Sequence, residues 1–158
     1  MPKSEAADRT ADLSSDAGPS PQPDDLRVAA RCSFEALEPV SGAEWTPSAG
    51  GLTWDCRRTL EHIAYCLDRY SLNLATPSPV RSPRTPNQYP HLPNREVLKV
   101  VQRRAAVLAA VAAASAPTVR GTHIWGNPDP AGYIAMGCVE ILLHTDDIAQ
   151  ALGAIPVS

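Results

Sequence analysis

The sequence predicts an all-α fold, a four-helix bundle with a long proline-rich crossover between its second and third helices. Three observations carry this reading. The apolar share of 44% is supplied mainly by Ala, Leu and Val, while aromatic residues make up only 5%, a composition that suits helix interiors better than pleated strands. Four stretches repeat their apolar residues at three- and four-residue steps, the signature of helices that bury one face. Each of these stretches is bounded by acids, Asn, Pro or Gly of the kind that start and stop helices, and none carries a strand signal.

The elements follow in order. Residues 1–23 mix Ser, Asp, Ala and Pro without apolar periodicity and end in Pro19-Ser20-Pro21-Gln22-Pro23, so they read as a disordered leader ahead of a domain over 24–158. A first helix starts near Asp24 or Asp25, acids suited to a positive helix N-terminus, and runs through Leu26, Ala29, Ala30, Cys32, Ser33 and Leu37 toward Pro39. Ser41 to Gly51 is a loop. Thr53 is the expected N-cap of a second helix whose stripe is Cys56, Leu60, Ile63, Leu67, Tyr70 and Leu74, broken at Pro77. From Pro77 to Pro93 the sequence has six prolines, too long a connection for a tight turn and therefore an extended crossover that walls one side of a pocket. Asn94 is the expected cap of a third helix carrying Val97, Leu98, Val101, Ala105, Leu108, Val111 and Ala112, whose many alanines imply close packing. The run from Arg120 to Gly126 is a compact loop. Asp129-Pro130 then opens a fourth helix with Ile134, Cys138, Ile141, Ile148 and Leu152, closed by Gly153 with Pro156 beyond.

Charge and cysteine content narrow the function classes. Of 17 acids and 14 Lys/Arg, four acids and two bases fall in the leader, so the domain is close to neutral. It has no basic block or basic stripe interleaved with aromatics, which argues against nucleic acid or an anionic membrane as partner. No apolar run approaches the roughly 20 residues that span a bilayer. The four cysteines show no C-x-x-C spacing, and the N-terminus has no secretory order of charged, apolar and small residues. A reducing cytoplasm is the expected location.

The chemistry concentrates in Glu140 and His144, four residues apart in Val139-Glu140-Ile141-Leu142-Leu143-His144. On a helix that spacing stacks a carboxylate and an imidazole on one face, in reach of one cation. The bland alternative is a solvated helix pair. The apolar neighbours Val139, Ile141, Leu142 and Leu143 imply instead that this turn is buried, where an ionised Glu needs a partner or a metal. His62 lies beside the apolar stripe of the second helix, so two helices can bring a His, Glu, His triad to one ion and leave an open position, as catalytic metal sites do. The ligand types suit Zn²⁺, with Ni²⁺, Mn²⁺ and Fe²⁺ as other candidates. Asp147 is placed to orient His144 or a bound water. Cys66, one turn from His62, is either a fourth ligand or a small core residue. His123 is either a substrate or proton-relay group or a loop His packed on Trp125, and His91, between prolines, is expected to be exposed.

The segments Leu52-Thr53-Trp54-Asp55 to Leu60-Glu61-His62-Ile63 and Gly132 to Gly153, with its Glu140-x-x-x-His144-Thr145-x-Asp147 motif, resemble the N-terminal domain of mycothiol-dependent maleylpyruvate isomerases. These belong to the DinB-like metal-binding four-helix bundles. The resemblance runs from about Asp24 to Gly153. It implies a divalent metal, usually zinc, on His62, Glu140 and His144, and a low-molecular-weight thiol such as mycothiol that is activated for isomerisation or S-transfer to an electrophilic small molecule. The isomerases of that family add a C-terminal domain, whereas this sequence ends shortly after the fourth helix, so maleylpyruvate isomerisation itself is not expected. Arg81, Arg84 and Arg120 are candidate partners for a substrate carboxylate. The leading expectation is thus a metal-dependent, thiol-using enzyme, paired by analogy into a homodimer. The alternatives are a non-catalytic helical module that binds a metal or small ligand, a metal-dependent hydrolase, and a vestigial site.

Overall fold

The structure, a computed structural model, describes residues 18–76 and 89–154. Most of the expected leader and the central part of the proline-rich connection, with Arg81 and Arg84, lie outside the described residues. Four α-helices account for the architecture: α1 (Pro23–Leu37), α2 (Cys56–Ala75), α3 (Asn94–Ala114) and α4 (Pro130–Leu152), with one 3₁₀ turn, Glu38–Val40, after α1. No named strand occurs among the described residues.

Two helix starts differ from expectation. Asp55, and not Thr53, caps α2: its carboxylate accepts the Arg58 N–H at 2.7 Å, so a stronger cap two residues further on displaces a plausible one. Pro93 occupies the cap position of α3 and Asn94 is its first helical residue. The Asn94 side chain is drawn away to other elements, accepting from Arg57 at 2.8 Å and lying within hydrogen-bond reach of the Ser41 and Ala43 carbonyls. The remaining termini follow the sequence. Gln22 and Asp25 form a capping box on α1, Asp129 accepts from Gly132 ahead of α4, and Gly153 ends α4 in the left-handed conformation at φ 66°.

Cross-helix contacts fix the topology. Arg57 meets Asn94 and Asp68 meets Arg104, so α2 and α3 run parallel. His62 meets Glu140 while Tyr70 meets Tyr133, so α2 and α4 run antiparallel. The buried hydroxyls of Ser33 and Thr145 bond at 2.6 Å, and Leu26 lies against Gly137, so α1 and α4 are parallel. Around the bundle the neighbours are α1, α3, α2 and α4, with α1 and α2 on one diagonal.

Parallel neighbours explain the long second connection. The chain must return the whole length of α2, about 30 Å for 20 residues, before α3 can start beside it. By Tyr89 and Leu92 it has done so: their carbonyls accept hydrogen bonds from Arg57, at the N-terminal end of α2. The crossover expected from the prolines therefore has a structural reason.

The core is continuous and mostly aliphatic. Leu26 and Leu37 of α1, Leu60, Ile63 and Leu67 of α2, Val97 and Leu108 of α3, and Ile141 and Ile148 of α4 are all fully buried. At its centre stands Gly137. A Cβ there would come within 2.6 Å of Leu26, 3.1 Å of Leu108 and 3.3 Å of Leu67, so the missing side chain is what lets α4 close on three helices. No helix among the described residues is long and apolar enough to cross a membrane.

The loop 41–55 is held down at both ends. Trp45 is buried and donates its indole N–H to Val40. The N–H groups of Cys56 and Arg57, which a free helix start would leave unpaired, donate to the Pro47 and Trp45 carbonyls. Gly50, at φ 51°, brings the loop so close to α4 that a Cβ would sit 2.5 Å from Asp147 Oδ1.

Candidate functional site between α2 and α4

The antiparallel pairing of α2 and α4 sets the N-terminal half of one helix against the C-terminal half of the other. Glu140 Oε2 lies 3.5 Å from His62 Nε2 and 3.4 Å from His144 Nε2. Its other oxygen accepts the Tyr70 hydroxyl at 3.0 Å. Cys66 Sγ lies 3.3 Å from His62 Nε2. His62, Cys66 and Glu140 each offer a ligand atom, all within 4.8 Å of one another, and this group could hold a metal ion. His144 approaches the same carboxylate oxygen from the next turn of α4, and the His62 and His144 rings meet edge to face at 5.4 Å.

Neighbouring groups orient these side chains. Asp147 Oδ2 stands 3.1 Å from His144 Nδ1, an arrangement that fixes the ring and turns Nε2 toward Glu140. Trp54, carried by the loop ahead of α2, packs its ring edge to face on His62 at 5.0 Å and takes the Arg58 guanidinium over its own face. No buried polar side-chain atom among the described residues lacks a hydrogen-bond partner.

The electrostatics of the cluster centre on Glu140. Burial pushes its carboxyl up, but hydrogen bonds from His144, His62 and Tyr70 together outweigh burial and hold it well below the usual carboxylate range. His144 moves the opposite way: its bond to Glu140 raises it, burial opposes, and Asp147 adds to the rise. Tyr70 is driven far above the ordinary phenol by burial and by the charges of Cys66 and Glu140, so it acts as a fixed donor.

A cavity of about 580 Å³ opens from the cluster. His62, Cys66 and Glu140 line it together with Tyr65 and Arg69 of α2 and the loop 122–125. That loop is pinned by Asn73 and Tyr133, which both donate to the Thr122 carbonyl.

The donor types of His62, Cys66 and Glu140 suit a divalent ion. Ligand bonds of about 2.0–2.1 Å to nitrogen or oxygen and about 2.3 Å to sulfur, arranged tetrahedrally, put neighbouring donor atoms roughly 3.3–3.6 Å apart. The Cys66–His62, His144–Glu140 and His62–Glu140 separations are 3.3, 3.4 and 3.5 Å; the group whose donor atoms are all mutually close is His62, Cys66 and Glu140, and His144 joins it through its contact with Glu140. No family model, curated protein or solved structure matches the chain.

Some expectations about the surroundings need correction. The turn that carries Glu140 is not buried as a whole: Ile141 is fully covered, but Val139 is 60% and Leu143 57% exposed, and Leu142 is exposed as well. Successive residues point about 100° apart, so apolar composition alone does not say which of them face outward. Next to Trp125, which is 86% exposed, His123 accepts the Trp125 backbone N–H on Nδ1 at 3.3 Å. It stands at the cavity with its ring 5.9 Å from that of Tyr70. Arg120 is occupied with the Pro117 and Val119 carbonyls and with Asp129, whereas Arg69, which shares the His62 side of α2 but is not among the expected carboxylate partners, does line the cavity. Tyr70 and Trp54 were also missed as site residues. Tyr70 sits at a stripe position that reads as core, and its hydroxyl contact spans 70 residues of sequence. His91 is exposed.

Proposed function

We propose that this protein is a metal-dependent, thiol-using enzyme of the DinB-like bundle type, with His62, Glu140 and His144 holding a divalent ion, Zn²⁺ by preference. The observation that carries this reading is one Glu140 oxygen standing 3.5 and 3.4 Å from two imidazole Nε2 atoms supplied by two different helices. When bound, a divalent ion supplies the chemistry of lowering a thiol's pKa toward neutrality, which makes a nucleophile without a dedicated base.

The chain's own residues do the rest. Asp147 holds the His144 ring in place, and Tyr70 keeps the Glu140 carboxylate aligned through its hydroxyl. Tyr65, Met136 and Val139 offer an apolar surface for the body of a small molecule, with Arg69 and His123 as polar contacts on the same cavity. The cosubstrates are a low-molecular-weight thiol of the mycothiol kind and an electrophilic small molecule, and the reaction is S-transfer or a thiol-assisted isomerisation.

The test is conjugation of mycothiol to a chromogenic electrophile by zinc-loaded protein, compared with His144→Ala and chelator-treated samples. The expected result is turnover above the spontaneous rate that both treatments abolish. Zinc-loaded protein that gives no such turnover overturns the thiol reading. Ester hydrolysis without any thiol would point to a hydrolase, and a change in melting with no reaction would point to a binding module.

A further inference from the structure

Cys66 belongs to the same constellation on geometric grounds that its sequence position alone does not supply. It follows His62 by one helical turn, is 7% exposed, and sits at the cavity wall beside both His62 and Glu140. The other three thiols lie elsewhere. Cys56 is enclosed at the start of α2, and Cys138 and Cys32 face the α1–α4 groove on the outer side of the bundle.

We propose that Cys66 is a ligand of the ion and completes a closed set of two imidazoles, one carboxylate and one thiolate. The proposal rests on the metal reading above and changes what it means. The Cys66 Sγ to His62 Nε2 separation of 3.3 Å is as compatible with a shared ion as the two imidazole–carboxylate separations, and Cys66, His62 and Glu140 form a mutually close group. A thiolate in the set selects Zn²⁺, or Co²⁺ as its substitute, over Mg²⁺, Ca²⁺ and Mn²⁺, which prefer oxygen donors. The position that a cosubstrate sulfur would take is then held at rest by the protein's own sulfur.

The competing arrangement is a Cys66 thiol that hydrogen-bonds to its neighbours, His62 among them, without meeting an ion. Cobalt separates the two by spectroscopy, independently of activity. Tag-free protein, stripped with a chelator and titrated with Co²⁺, is expected to show a near-ultraviolet sulfur-to-cobalt charge-transfer band that saturates at one equivalent. Cys66→Ser should lose this band while keeping the visible cobalt transitions through His62, Glu140 and His144, and Cys138→Ser should retain it. Far-ultraviolet circular dichroism checks that each variant is helical. X-ray absorption on the wild-type zinc form, expected to show one sulfur at about 2.3 Å, decides the matter without any variant. Cobalt bound with no charge-transfer band, or zinc with no sulfur neighbour, overturns Cys66 ligation and leaves the three-ligand reading standing. Absence of any cobalt or zinc binding overturns both.

Discussion

Two adjacent layers of α4 show how differently one helix can be used. Around Gly137 the bundle closes completely, with Leu26, Leu67 and Leu108 pressed against a backbone that carries no side chain. One and two turns further on, the same helix holds Glu140 and His144, opposed from α2 by His62, Cys66 and Tyr70. The first layer excludes everything and contributes stability. The second gathers polar groups whose desolvation is costly, and the protein offsets that cost with a hydrogen-bond network and opens a cavity onto it. The close-packed layer and the candidate site thus begin a single helical turn apart.

That separation can be broken from either side. The largest effect is expected at Gly137: Gly137→Val overpacks a closed layer and should cost about 3 kcal/mol, at the upper end of such substitutions, read as a lower urea midpoint. Folded Gly137→Val protein should still take up its metal. A cost near zero would mean that the layer has slack.

Metal binding should then stabilise the fold through the second layer alone. Zinc at about 100 times its dissociation constant adds about 2.7 kcal/mol by mass action, seen as a rise in melting temperature that a chelator reverses. The rise should disappear in Glu140→Gln. A rise that survives in that variant would place the metal elsewhere.

Asp147→Asn sharpens the comparison further, because the substitution keeps the side-chain shape against Gly50 and removes only the carboxylate behind His144. Metal affinity should fall about 10–100-fold in competition with a chromophoric chelator, with the melting temperature of the metal-free protein little changed. Unaltered affinity would reduce Asp147 to a loop contact. The smallest effect separates the two candidate caps of α2: Asp55→Ala should cost about 1 kcal/mol, and Thr53→Ala close to nothing, by the same denaturation assay.

Much of this arrangement could be read from sequence, and the failures have physical causes. The stripes Leu60-Ile63-Leu67-Leu74 and Ile134-Ile141-Ile148 announce α2 and α4 because helical spacing is a local property. His62, Glu140 and His144 stand out for a similar reason, as ligand-type residues at helical spacing in apolar surroundings. The pairing of Tyr70 with Glu140, and of Trp54 with His62, depends on the register between α2, α4 and the loop ahead of α2, which no local pattern encodes. The outward face of Val139, Leu142 and Leu143 is not legible because an apolar run does not say which side of the helix its neighbours cover. Thr53 and Asp55 are both good caps, and the choice falls to the loop that hydrogen-bonds Cys56 and Arg57 in place.

The central claim is that the second layer of α4 is a metal site. Elemental analysis of protein purified without a histidine tag, alongside His62→Ala and Glu140→Ala, tests it most directly. The account predicts about one zinc per chain in the wild type after reconstitution and none in either variant, with helical content retained in all three. Wild-type protein that stays metal-free after reconstitution, or variants that keep a full complement, would contradict it.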